Sequence, residues 1–321
     1  MTGIDRSPPP AWVGTSSDPN DEQFGDVVER VDFEAGGDYD ADNYDAVFLG
    51  EPYDGAVIGR PGAREGPDAI RAALAGTKTH HFDAGPAPSI GDLGNAVVPD
   101  GSVEVVQESL RSLTTQVHDR DALAVFLGGD NSLTVPNAGP LLDRGSLGIV
   151  NLDAHLDVRT IRDEPTSGTP YRQLLEGGLG AYAVVGARHF ETSTVYHDYL
   201  RERGGGDVTA EEVGDDPVAA VDRALDAMAG VEQLYVSLDL DVLDAAAAPG
   251  VSAPTPGGLT TRELFRVLRL LAADERLVGF EVVECAPPLD EGGRTAVAGA
   301  RAVAHVLAGW SATVDREGVD R

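Results

Sequence analysis

Leu147-Gly148-Ile149-Val150-Asn151-Leu152-Asp153-Ala154-His155-Leu156-Asp157 decides the fold. Its first six residues form a short apolar run with β-branched members, the pattern of a strand buried on both faces of a parallel sheet. The run ends in two carboxylates and an imidazole at alternate positions. If the backbone stays extended, alternate side chains point to one side, so Asp153, His155 and Asp157 converge. Hard oxygen donors with one imidazole suit a divalent metal of the manganese or zinc kind. The alternative is an acidic surface loop, because such a string is short. A second stretch weighs against it. In Leu234-Tyr235-Val236-Ser237-Leu238-Asp239-Leu240-Asp241 an apolar run again leads into alternate carboxylates. Buried aspartates are costly unless a cation pairs with them. Two such strand ends offer enough donors for two divalent ions. A third segment, Gly128-Gly129-Asp130-Asn131-Ser132, follows the apolar run Ala122-Leu123-Ala124-Val125-Phe126-Leu127.

Working outward, apolar strand-like runs recur at 46–50, 182–186, 233–240 and 278–283, with helical patterns at 68–75, 102–118, 170–176, 261–273 and 294–310. Further helices near 192–203 and 216–229 bracket an acidic loop, and Asp92-Leu93-Gly94-Asn95 reads as a loop with a possible strand before it. Strands alternating with helices predict one parallel sheet covered on both faces. Every candidate ligand then lies at the C-terminal end of a strand, where open α/β folds place their sites. The domain plan is a poorly ordered acidic arm over 1–40, rich in Pro, Gly, Asp and Glu, a single α/β domain over 41–312, and a polar tail over 313–321.

The 321 residues carry 54 acidic against 24 basic side chains, a net charge of -30. Lys78 is the single lysine. Acids spread along the whole chain fit a high-salt interior, where salt screens their repulsion, and argue against nucleic acid as a partner. No apolar run reaches membrane-spanning length and the first residues lack a signal-peptide core. The expectation is a soluble, cytoplasmic protein with no membrane partner. One cysteine, Cys285, excludes an intrachain disulfide and a cysteine zinc site.

Taken together, Gly128-Gly129-Asp130, Asp153-Ala154-His155-Leu156-Asp157, Ser237–Asp244 and Glu281-Val282-Val283-Glu284 resemble the signature blocks of the ureohydrolase family of arginases, agmatinases and formimidoylglutamases. The resemblance extends to Gly59–Arg71 and to Ala248–Gly258, covering roughly residues 45–310. It implies a three-layer α/β/α fold with a parallel sheet of about eight strands, and two Mn²⁺ per subunit. By position, Asn131, Asp153, Asp157 and Asp239 would bind one ion. Asp153, His155, Asp239 and Asp241 would bind the other. Glu284 matches the acid that receives the amidine or guanidine end of the substrate, and Asp157 is placed to move the proton.

The family's usual histidine in the first block is Asn131 here. Its neutral amide oxygen is a weaker donor than imidazole, and Asn131 equally suits a helix N-cap. The block Asp157-Val158-Arg159 with Pro165–Arg172 looks most like the formimidoylglutamase branch, and the histidine that arginases and agmatinases carry near Ser167-Gly168 is missing. The implied reaction is hydrolysis of N-formimidoyl-L-glutamate to L-glutamate and formamide, a step of histidine degradation. That dianionic small-molecule amidino substrate calls for cations, and Arg159, Arg172 and Arg188 are the candidates; the plainer reading of each is a surface ion pair. Two other functions stay open. An agmatinase-like guanidino hydrolase would take a cation that Arg159 repels, and a catalytically inactive metal-binding homologue is raised by Asn131. A homo-oligomer is implied by the resemblance alone.

Overall fold

A computed structural model describes residues 6–31 and 43–319. In chain order the elements are β1 (Arg6–Ser7), α1 (Phe24–Val27), β2 (Glu29–Arg30), β3 (Ala46–Gly50), α2 (Gly66–Ala75), β4 (Ile90–Ala96), α3 (Val103–His118) and β5 (Leu123–Leu127). Then follow α4 (Thr134–Ala138), β6 (Leu147–Leu152), α5 (Pro170–Glu176), β7 (Ala181–Ala187), α6 (Thr194–Glu202) and β8 (Gly206–Thr209). The remainder are α7 (Ala210–Asp215), α8 (Pro217–Ala227), β9 (Gln233–Asp239), α9 (Thr261–Ala272), β10 (Leu277–Val283) and α10 (Arg294–Val319).

The sheet runs β1-β4-β3-β5-β10-β9-β6-β7-β8, with β2 also on β4. From β4 to β8 the pairing is parallel throughout. Each central strand is buried on both faces, so its residues divide between two cores. Leu123, Val125 and Leu127 of β5 face one, and Ala124 and Phe126 face the other. The first core is closed by α2, α8, α9 and α10, whose Leu74, Val221, Leu268 and Val303 pack on it. The second is closed by α3, α5 and α6 through Leu110, Leu174 and Leu200. This is a three-layer α/β/α sandwich. Helix α9 shows why the local sequence commits to a helix. Thr260 Oγ1 accepts from Glu263 N, Glu263 Oε2 accepts from Thr260 N, and Leu264, Val267, Leu268 and Leu271 fall on one buried face.

Several local expectations differ from the structure. The described part of the acidic arm packs on the domain. Phe24 and Val28 join the core, and β1 pairs antiparallel with β4. Trp12 Nε1 donates to Asp92 Oδ2 at 2.8 Å, on the same carboxylate that a buried Arg71 grips at 2.8 and 2.9 Å. Residues 1–5 and 32–42 of the arm lie outside the described residues. The segment read as a loop around Asp92 is strand β4, and the acidic loop between α6 and α8 holds β8 and α7. Helix α10 continues through the polar stretch that was expected as a tail, to Val319. Among the described residues no helix is long and apolar enough to cross a membrane.

Candidate metal centre

The sheet order explains how distant segments meet. β5, β10, β9 and β6 are adjacent, so their C-terminal ends deliver Asn131, Glu284, Asp239 with Asp241, and Asp153 with His155 and Asp157 to one place. The backbone does not stay extended past Asp153 and Asp239, and alternation is not what converges the side chains. Asp153 Oδ1 accepts from His155 N at 2.7 Å and Asp239 Oδ1 accepts from Asp241 N at 2.8 Å. Each strand thus closes on itself in a tight turn capped by its own aspartate. Asp157 and Glu284 complete the bend with left-handed backbones, φ 46° and 64°. Such conformations cost free energy in a non-glycine residue and cluster at functional sites.

Two overlapping donor groups result. Asp153, His155 and Asp241 each bring a ligand atom within 4.8 Å of the others, and so do Asp153, Asp157 and Asp239. Asp153 belongs to both. His155 Nδ1 lies 3.0 Å from Asp241 and 3.3 Å from Asp153, and its Nε2 lies 3.7 Å from Glu191. Asn131 Nδ2 donates to Asp157 Oδ2, so Asn131 borders the second group. It is not the helix cap. That role falls to Asp130, whose Oδ1 accepts from Ser132 N at 3.0 Å and whose Oδ2 accepts from Ala56 N at 2.8 Å. Gly129 must be glycine, since a Cβ there would stand 1.7 Å from Tyr53 O.

The electrostatics follow from crowding five carboxylates, four of them buried, around one imidazole. Burial, then the charge of Asp153, pushes Asp157 well above the usual carboxylate range. Burial, followed by Asp241, Asp153 and Glu284, does the same to Asp239. Burial and Asp153 also raise Asp241. Glu284 is pushed up to about 8 by burial and then by Asp130. For His155, burial disfavours the cation, but Asp241 and Asp153 outweigh it and raise the imidazole well above its ordinary value. Asp153 is opposed by burial, yet its contacts with His155 hold it low. Such a set is stabilised by positive charge. Four aspartate carboxylates, one imidazole and an amide group form a hard, oxygen-rich donor set that fits divalent ions such as Mn²⁺.

Above the donors opens a cleft of about 120 Å³ lined by His155, Asp157, Arg159, Asp239, Asp241 and Glu284. Glu284 Oε1 accepts from Asn131 N at 3.1 Å, while Oε2 is buried without a hydrogen-bond partner. Of the three candidate arginines, Arg159 lines the cleft. Arg172 does not. Its Nε donates to the carbonyls of Val158 and Arg159 at 2.9 Å and its guanidinium stacks on Tyr199, so it fixes the backbone that carries Arg159. Arg188 is buried and also turned away. It donates to Thr255 O at 2.6 Å, to Thr255 Oγ1, to Asp241 O and to Leu243 O at 3.2 Å. It therefore stitches the Asp239–Asp241 turn to the 251–257 loop, which contributes Ser252 and Ala253 to the cleft wall. Gly59 and Ser167, inside stretches that carry the resemblance, also line the cleft, and so does Ile58, which no sequence signal points to. A surface residue of ordinary type in a loop carries no periodic signal. Glu281, a carboxylate inside the apolar strand β10, is fully buried.

Comparison with known proteins agrees with this geometry. The chain is 58% identical over 302 residues to a formimidoylglutamase of Halobacterium salinarum, covering 93% of this chain and 97% of that protein. Its fold is similar to the crystal structure of formimidoylglutamase from Bacillus subtilis, with a TM-score of 0.85 at 26% identity, covering 92% and 94% of the two chains. It is also similar to the crystal structure of Trypanosoma cruzi formiminoglutamase with Mn²⁺, with a TM-score of 0.76 at 27% identity, covering 84% and 94%. The model of the arginase family matches residues 44–309, and with these likenesses and the donor groups at its strand ends, the chain belongs to the arginase family.

Proposed function

We propose that this protein hydrolyses N-formimidoyl-L-glutamate to L-glutamate and formamide, using two Mn²⁺ per subunit. The observation that carries the reading is the pair of donor groups sharing Asp153 at the floor of a cleft that also holds Arg159 and Glu284. The Halobacterium formimidoylglutamase, 58% identical, supports the choice of substrate. Asn131, Asp153, Asp157 and Asp239 would hold one ion, and Asp153, His155, Asp239 and Asp241 the other. Ions held there would lower the pKa of a water enough for attack at neutral pH.

The chain's own groups do the rest. Glu284 Oε2, buried and unpartnered, receives the amidinium, a cation that also relieves the burial raising this carboxyl. Arg159 pairs with a carboxylate of the glutamate part. Water adds to the amidine carbon, and the bond from that carbon to the glutamate nitrogen breaks. Asp157 takes the proton released in the attack and returns it to the leaving nitrogen, so formamide and glutamate both leave with their atoms balanced. Arg172 and Arg188 act by holding the cleft loops. A homo-oligomer serving histidine degradation is inferred on the resemblance, a cytoplasmic location on the sequence, and the charge of -30 with the Halobacterium relative supports a high-salt setting.

The test is formamide release, with and without Mn²⁺, from formimidoylglutamate and from a panel of guanidino compounds in high salt. The expected result is Mn²⁺-dependent formamide from the first substrate only. Urea from agmatine, with no formamide, would establish the guanidino-hydrolase alternative instead.

A further inference from the structure

Thr134 Oγ1 lies between two acceptors. It is 2.6 Å from Glu281 Oε1 and 2.9 Å from Asn131 Oδ1. A hydroxyl has one proton and cannot donate to both. Glu281 is fully buried and its two oxygens also accept from Ser237 Oγ at 2.7 Å, Asn137 Nδ2 at 2.9 Å and Tyr235 OH at 3.0 Å. With Thr134 that makes four donors, all the lone pairs a carboxylate offers. The shorter, charge-assisted bond to Glu281 takes the Thr134 proton. Thr134 then presents a lone pair to Asn131, which must answer with a donor.

Asn131 has that donor on its other side, where Nδ2 meets Asp157 Oδ2. A half-turn about Cβ–Cγ exchanges Oδ1 and Nδ2 and moves no other atom of the side chain. We propose that Glu281 and Thr134 are positioning residues that hold the Asn131 amide in this turned orientation in the metal-loaded protein, Nδ2 on Thr134 and Oδ1 toward Asp157 and the cation between them. The buried relay Glu281–Thr134–Asn131 thus makes an otherwise ambiguous amide into an oxygen ligand. This rests on the metal centre proposed above.

The experiment reads Mn²⁺ binding by titration calorimetry on the whole protein in high salt, with thermal unfolding as the check on folding. In Glu281→Gln the new amide nitrogen can donate to Thr134, which frees the Thr134 proton for Asn131 Oδ1 and reverses the relay. One Mn²⁺ site should weaken by about tenfold to a hundredfold, while the site of Asp153, His155 and Asp241 keeps its affinity. Thr134→Val should do the same, and Thr134→Ser, which keeps the hydroxyl, should restore the parent value. A neutron structure of the Mn²⁺-loaded parent reads the amide without any variant, and its deuterons should face Thr134. Deuterons facing Asp157, or unchanged affinities in folded Glu281→Gln and Thr134→Val, overturn the relay alone. A parent that binds no Mn²⁺ overturns the metal centre and the relay with it.

Discussion

Replacing Arg188 separates a structural clamp from a substrate-binding cation. Arg188 is 7% exposed and its guanidinium makes four hydrogen bonds, to three backbone carbonyls and the Thr255 hydroxyl. Bonds from a charged donor are worth about 1.5–3 kcal/mol each. These four share two nitrogens and do not add, so Arg188→Met should cost about 3–5 kcal/mol, in the upper range for single substitutions. Unfolding entropy near 2.1 cal/mol/K per residue over 321 residues converts that to a fall in Tm of roughly 4–7 °C. Arg188→Lys should lose most of the same stability, because a lysine point charge cannot fork between the Asp239–Asp241 turn and the 251–257 loop. Scanning calorimetry on metal-free protein in high salt measures this without the contribution of bound ligand. A full Tm in Arg188→Lys, with KM for formimidoylglutamate raised tenfold or more, would refute the clamp and return Arg188 to the substrate.

Asp239→Ala removes a carboxylate assigned to both ions, and both Mn²⁺ content and hydrolysis should be lost; an active variant with full metal would exclude two shared ions. Arg159→Ala should raise KM for formimidoylglutamate by roughly tenfold to a hundredfold, the worth of one charge-assisted contact of about 1.5–3 kcal/mol, with Tm unchanged; unchanged kinetics would make it a surface cation. His118 Nε2 donates to Asn137 O at 2.8 Å, and burial pushes the imidazole down to about 4 from 6.5. Between those values the unfolded chain binds the proton first, so stability falls as pH falls, by about 3 kcal/mol in full. His118→Gln should remove that share of the acid sensitivity in urea melts at pH 7 and pH 4, and parallel pH curves for the two proteins would show that His118 carries none of it.

What could be read from the sequence divides along physical lines. Strands β5, β6, β9 and β10 announce themselves because burial on both faces leaves an unbroken apolar run, and the carboxylates that interrupt those runs mark the site. The reading chose Asp153, His155 and Asp157 through an extended backbone, yet the structure joins them through a capped turn with Asp157 at φ 46°. Residue types carried the chemistry; the backbone that aims them did not show in the spacing. Arg172 and Arg188 illustrate the opposite case. Arginine after a metal strand suits a dianionic substrate, but their partners are carbonyl groups, which every residue has and no side-chain pattern reveals. The described part of the arm is a related case. Its Pro and Asp content suggests disorder, while a few anchors, Trp12, Phe24 and Val28, pin residues 6–31 to the sheet edge.

The place of β10 bears on how the protein is made. This strand, Leu277–Val283, is the last of the described strands to leave the ribosome, and it lies in the middle of the sheet between β5 and β9. Until it emerges, β4-β3-β5 and β9-β6-β7-β8 are two separate half-sheets, each with an open, apolar inner edge of the kind that invites mispairing. The nascent chain therefore cannot seal its core by growing outward from one finished unit. It must keep two sticky rims apart until a late segment threads between them. Translation at roughly 5–20 residues per second separates the emergence of β9 from that of β10 by seconds, an exposed interval in which a chaperone has something to hold. Glu281 and Glu284 belong to that same stretch, so the donor cluster of β6 and β9 gains its last neighbouring carboxylates only when the keystone of the sheet arrives.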